Sequence, residues 1–234
     1  MEKAYKNVTI FFAVILVIIV LGFFKTYFGL FPAFNKVTTI QHIHGLLFTT
    51  WFVMLCVQPL LIRYGKYKAH RVIGKFSYVL VPCIIISIHF IARELYEKSI
   101  LNHVPQHTAI ASLYMATYQI FDFAVLYVLA IANIKNTPAH MRYMITTSLA
   151  ISGAGLRRVF MHWMGIGGAH AVLYAFLLPD LALVGLIIYD RLHGQKSKAY
   201  WVSLAILAGS HISFYFVPNS ALWQSVCGYF VRYF

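Results

Sequence analysis

The sequence has little charge. Asp, Glu, Lys and Arg together make up 11% of its 234 residues, and only six residues are acidic. Soluble globular domains have about a quarter charged residues and roughly 45–50% apolar residues, whereas this chain is 61% apolar. Such a chain could not cover its own surface in water, which excludes a disordered protein and an ordinary soluble enzyme. The composition predicts an integral membrane protein whose outer surface faces the lipid bilayer.

Cysteine is scarce and sequence motifs of known chemistry are missing. The three cysteines, Cys56, Cys83 and Cys227, form no C-x-x-C pair, which argues against a disulfide framework and a thiolate metal site. No P-loop, G-x-S-x-G, H-E-x-x-H or dinucleotide-binding motif occurs. The net charge of +13 does not indicate a nucleic-acid partner, because the basic residues are scattered through short loops. The sequence does not decide whether the protein is an enzyme.

Seven apolar runs are each long enough to cross a membrane, which takes roughly 20 residues. Backbone groups in lipid must bond within their own segment, so we predict an all-α seven-helix bundle in a single domain, 1–234. The runs are 8–24, 39–62, 72–92, 108–133, 141–164, 169–190 and 199–217. We interpret the first as a retained anchor helix, and the others as three hairpins followed by an interfacial tail. The hairpins are 39–92, 108–164 and 169–217, and the tail is 218–234.

Basic residues indicate the orientation, because Lys and Arg accumulate in cytoplasmic loops. Most of the 19 basic residues fall on the side of the predicted N-terminus. They are Lys3, Lys6, Arg63, Lys66, Lys68, Arg71, Lys75, Lys135, Arg142, Arg191, Lys196 and Lys198. The N-terminus is therefore predicted inside and the C-terminus outside.

Three segments between residues 40 and 195 carry recurring His and Arg motifs. They are QHIHGLLFTTWFVMLCVQPLLIRYGKYKAHRVIG, HMRYMITTSLAISGAGLRR and LLPDLALVGLIIYDRLHG. With their H-x-H-G, H-R-x-x-G and H-x-R-x-M elements, they resemble a family of uncharacterised bacterial multi-pass membrane proteins. The resemblance implies a location in the bacterial cytoplasmic (inner) membrane and no particular activity. It directs attention to His42, His44, His70, Arg71, His140, Arg142, Arg157, Arg158, Asp180 and Asp190.

Polar residues inside the predicted spans sort by depth. Ionisable groups at membrane depth are costly and usually face the bundle interior. We expect an outer layer of His and Arg above two carboxylates, Asp122 and Asp180, in a cavity open to the outside. The outer layer comprises His44, His89, Arg158, His162 and His211.

Imidazoles on different helices at one depth are typical of a haem or transition-metal site. The sequence therefore predicts a membrane-embedded redox protein that binds haem b or a transition metal. The predicted cofactor ligands are His44, His89, His162 and His211, and the predicted metal ligands are His42, His44, His162 and His211. A two-haem variant would pair His70 with His140 inside, but the spacing along the helices places its haems at the two interfaces.

Other functions remain open. In a proton-coupled transporter, Arg157 and Arg158 would hold a small polar or anionic molecule while Asp122 and Asp180 carry the proton. Alternatively, the arginines only balance the charge of these carboxylates. A third alternative is a cofactor-free assembly factor with a membrane-protein partner.

Overall fold

The structure is a computed structural model and describes residues 7–35 and 37–233. Lys3 and Lys6, on which the predicted orientation partly rests, lie outside these ranges. The described residues form α-helices and two 3₁₀ turns, Phe28–Leu30 and Val231–Tyr233, with no strand, so the all-α prediction is confirmed. The helices are α1 Val8–Phe24, α2 Thr39–Arg63, α3 Tyr67–Leu101, α4 Gln106–Ala132, α5 Thr137–Ala150, α6 Gly153–His162, α7 Gly168–Leu192, α8 Ala199–Ser213 and α9 Ala221–Phe230.

Four of these helices, α2, α3, α4 and α7, are long and apolar enough to cross a membrane. Helices α1 and α8 are also apolar but have 17 and 15 residues. At 1.5 Å per residue they span about 26 and 23 Å, slightly less than the roughly 30 Å of hydrocarbon in a bilayer.

The predicted run 141–164 is broken in the structure. Helix α5 ends at Ala150 and α6 begins at Gly153, and the two residues between them form a turn. The Ser152 hydroxyl donates to the Leu149 carbonyl over 2.8 Å, and glycine at position 153 has a low helix propensity. Hydropathy averaged over the whole run 141–164 does not reveal such a break.

Helix α5 lies at the centre of the bundle. It packs against α1, α4, α7 and α8, and every residue from 145 to 152 is buried. Helices α2 and α3 form an antiparallel hairpin beside this centre, since Gln41 contacts Glu94 at one end and Gln58 contacts the His70 carbonyl at the other.

A buried ion pair joins α5 to α7. Arg142 Nε donates to Asp190 Oδ2 over 2.6 Å and a second guanidinium nitrogen donates to Oδ1 over 2.8 Å. The Arg142 side chain is 0% exposed, and a further nitrogen donates to the Pro138 carbonyl. Arg142 is therefore a core residue near the start of α5, whereas its predicted place on the cytoplasmic side stays a prediction.

Two glycines allow α1 and α6 to touch. A methyl group added to Gly22 would overlap the carbonyl of Gly155, and one added to Gly155 would press on Ile19. This close approach agrees with the general role of small residues between membrane helices.

The predicted interfacial tail contains helix α9, which packs against α4. Val231 joins a small apolar core that is separate from the main one. The other buried members of this second core are Ala92, Tyr96, Ala109, Ile110 and Leu113.

The Arg142–Asp190 pair gives a stability prediction. We expect D190N to lower the free energy of unfolding by about 3–5 kcal/mol, because it leaves a buried guanidinium without its counter-charge. The double variant R142M/D190L should recover most of this loss. The measurement is thermal or denaturant unfolding in detergent.

The matched control is E97Q, which breaks the exposed Arg93–Glu97 pair. It should cost no more than about 1 kcal/mol. Equal losses for D190N and E97Q would contradict a structural role for the buried pair.

Candidate functional site

A carboxylate cluster, defined here as Asp122, Asp180, Ser210 and His211, lies where α4, α7 and α8 meet. The Ser210 hydroxyl donates to Asp122 Oδ1 over 2.6 Å, and His211 Nδ1 lies 2.9 Å from Asp180 Oδ2. Asp122 is also close enough to His211 and Asp180 for their charges to act on it. The structure thus brings together three of the predicted site residues and adds Ser210.

Aromatic rings hold the imidazole of His211 in place. The Phe176 ring stacks on it with centroids 4.4 Å apart and planes 8° apart, and Tyr118 meets it edge-on at 6.0 Å. His211 is 9% exposed and Asp122 is 1% exposed. Charges in such a low-dielectric setting interact strongly, so a proton bound by one member changes the charge that the others sense.

Asp180 has one oxygen without a hydrogen-bond partner. Its Oδ1 is buried and unbonded in the described structure, while Oδ2 contacts His211. Buried polar atoms are nearly always hydrogen-bonded, so an unbonded carboxylate oxygen indicates a place for a proton or a ligand. Pro179 precedes Asp180 inside α7, and proline removes one backbone hydrogen bond at this level. The cluster can therefore accept a proton without breaking an existing bond of Oδ1.

Arg157 and Arg158 follow one another on α6 and form the arginine pair. One Arg158 nitrogen donates to the Ala154 carbonyl over 3.1 Å, and its guanidinium lies 4.2 Å from the Phe23 ring centre. Arg157 Nε is buried without a hydrogen-bond partner. Throughout residues 7–35 and 37–233 neither guanidinium forms an ion pair with an acidic side chain. The charge-balancing interpretation is not what this geometry shows, because Asp122 and Asp180 contact Ser210 and His211 instead.

His44 and Tyr118 connect these two groups to their surroundings. His44 Nδ1 lies 3.0 Å from the Ser87 hydroxyl, and the charge of Arg158 acts on His44. Tyr118 is 5% exposed and within electrostatic reach of both Asp122 and Arg157. Tyr118 is thus close enough to one member of each group for both charges to act on it.

The remaining predicted ligands lie apart. His42 Nδ1 contacts the Tyr27 hydroxyl at 2.8 Å, His89 is exposed beside Phe90, and the His162 carbonyl accepts a hydrogen bond from Lys25. No group of three or more His, Cys, Asp or Glu side chains in the described ranges is placed to hold a metal ion. The helical period explains the separation of His42 from His44, since residues two apart point to opposite sides. On α3, Ser87 and Ile88 are buried, and the next residue, His89, lies on the exposed side of the helix.

A second imidazole pair, His70 and His140, lies at the opposite end of the bundle. His140 is near enough for its charge to act on His70. His140 Nδ1 donates to the Ala130 carbonyl over 2.8 Å, and His70 Nδ1 is buried without a partner. The H-R-x-x-G and H-x-R-x-M motifs mark both residues, but only the packing of α4 against both α3 and α5 reveals that they are neighbours.

No family model matches the chain, and no curated protein and no solved structure is significantly similar to it. The resemblance of its motifs to bacterial multi-pass membrane proteins therefore stays a prediction.

Double-mutant cycles distinguish the observed contacts from the charge-balancing interpretation. We expect H211Q and D180N to show a coupling energy above about 0.5 kcal/mol, because their side chains are in direct contact. R158Q combined with D180N or with D122N should couple by less than about 0.5 kcal/mol. Unfolding in detergent supplies the free energies, and strong coupling of Arg158 to either carboxylate would contradict the geometry.

Proposed function

We propose that the protein is a multi-pass membrane protein that moves a small anion across the bilayer together with protons. Four helices long enough to span, the apolar α1 and α8, and the combined α5 and α6 support seven crossings. The proposed N-terminus is inside and the C-terminus outside, in a bacterial cytoplasmic membrane. Leaving out three arginines of α5 and α6, Arg142, Arg157 and Arg158, does not alter this orientation, because most of the other basic residues are still on the predicted inner side.

The observation that carries the proposal is the separation of the acidic and basic groups inside the bundle. The carboxylates bond to Ser210 and His211, whereas the arginine pair has no acidic partner in the described residues. Arg157 and Arg158 are half-buried, and a partly desolvated cation without a counter-charge is costly, so membrane proteins retain such groups mainly for function. A bound anion beside Arg157 and Arg158 would provide the missing counter-charge.

The carboxylate cluster supplies the proton in this proposal. The anion neutralises the arginine pair, and a proton taken up by the Asp180–His211 pair or by Asp122 offsets the charge that moves with the anion. Tyr118 is within electrostatic reach of Asp122 and of Arg157, one member of each group. An anion that moves together with a proton carries little net charge, so its transfer through hydrocarbon requires much less free energy than transfer of the anion alone.

Reconstitution in liposomes tests this function. Vesicles holding a pH-sensitive dye receive external phosphate, sulfate, nitrate or pyruvate, and internal acidification reports proton entry with the anion. We expect at least one of these anions to acidify vesicles that contain the wild-type protein. R157Q/R158Q should abolish the response, because the counter-charge for the anion is gone.

D180N should suppress proton entry while leaving exchange of labelled anion in place. The matched control is R93Q, which removes an exposed arginine paired with Glu97 and should behave as wild type. An unchanged response in R157Q/R158Q, or no response to any of the four anions, would overturn the proposal.

A haem or transition-metal function is the second candidate, favoured by the His70–His140 pair. The bond from His140 Nδ1 to Ala130 leaves Nε2 as the free nitrogen, as in histidines whose second nitrogen is oriented for a metal. His70 and His140 would then hold the group, which would supply electron transfer. This places the cofactor at the opposite end from the predicted ligands His44, His89, His162 and His211.

A visible spectrum and a metal analysis of the purified protein test the second candidate. A Soret band, or about one bound metal per chain, should be present and should be lost in H140A. H44A is the control and should retain it. A colourless, metal-free preparation would remove this candidate and leave the transport proposal untouched.

A further inference from the structure

An apolar groove runs between the end of α7 and the start of α8. It has a volume of about 330 Å³ and is lined by Val184, Ile187, Ile188, Arg191, Trp201 and Leu204, among others. Most of its wall is hydrocarbon, and Trp201 is half exposed. The groove therefore matches an apolar chain better than a polar solute.

Positive charge gathers at one end of this groove. Arg191 lines it, and the exposed Lys196 and Lys198 belong to the short connection between the two helices. The neighbouring acid, Asp190, is buried and held by Arg142, so it does not neutralise Arg191. None of the three cations has an acidic partner within the described part of the chain.

From this arrangement we infer that the groove binds one anionic phospholipid. An acyl chain lies along the apolar wall beside Trp201, and the phosphate of the headgroup lies against Arg191, with Lys196 and Lys198 nearby. Basic pockets between membrane helices on the cytoplasmic side are suited to anionic headgroups, and tryptophan is typical of the level where chain and headgroup meet. The site rests on the proposed membrane location but not on the transport activity.

Brominated lipids test the inference, because bromine on an acyl chain quenches a tryptophan that it touches. The full-length protein in a neutral detergent is titrated with phosphatidylglycerol or phosphatidylcholine carrying bromine at mid-chain. We expect phosphatidylglycerol to quench at a concentration about fivefold lower than phosphatidylcholine, the effect of roughly one favourable basic contact. W201F should remove most of the selective quenching.

R191Q should erase the preference for phosphatidylglycerol. The matched control is K68Q, which removes an exposed lysine from the loop between α2 and α3 and should keep the wild-type preference. All three variants change exposed side chains, so the fold is not at risk. Equal quenching by both lipids, or equal losses in R191Q and K68Q, would overturn the site in favour of a diffuse charge effect. A lipid-resistant dimer that shields Trp201 would also overturn it.

Discussion

The second half of helix α5 is enclosed, since every residue from 145 to 150 is buried, and this enclosure constrains the rest of the bundle. Any buried polar group on α5 must find its partner inside the protein, because neither water nor lipid headgroups reach it. Thr146, Thr147 and Ser148 meet this requirement by donating to backbone carbonyls of their own helix. Arg142 cannot do so completely, because a charged guanidinium has more donors than one helix can satisfy. Asp190 must therefore lie beside it, which fixes α7 against the centre.

The helices could be predicted from the sequence because lipid imposes one requirement, a continuous apolar length. That requirement does not determine the ends of α3, which extends past 72–92 through polar turns to Tyr67 and Leu101. It also does not reveal the break between α5 and α6, which depends on Ser152 and Gly153. Helix ends and breaks depend on interactions within a single turn, and hydropathy averaged over a whole membrane span does not contain them.

The sequence could predict the depth of the site residues in the membrane, but not which side chains contact one another. Asp122, Asp180 and His211 were expected in one region, and the structure brings them together. Their partners could not be predicted, because contacts between helices depend on which helices are neighbours. Helix α6, which carries Arg158, packs on α1 and α7, whereas Asp122 lies on α4 beside α8. Depth alone made these two residues look like partners.

The molecule has a small apolar core beneath α9 in addition to the main core of the bundle. Val231 is tied to α3 and α4 through a handful of apolar side chains, whereas the main core extends from Val8 to Leu207. The small core buries much less apolar surface than the main core, so it contributes far less to the free energy of unfolding. We therefore expect local opening of α9 to cost much less free energy than opening of the main bundle.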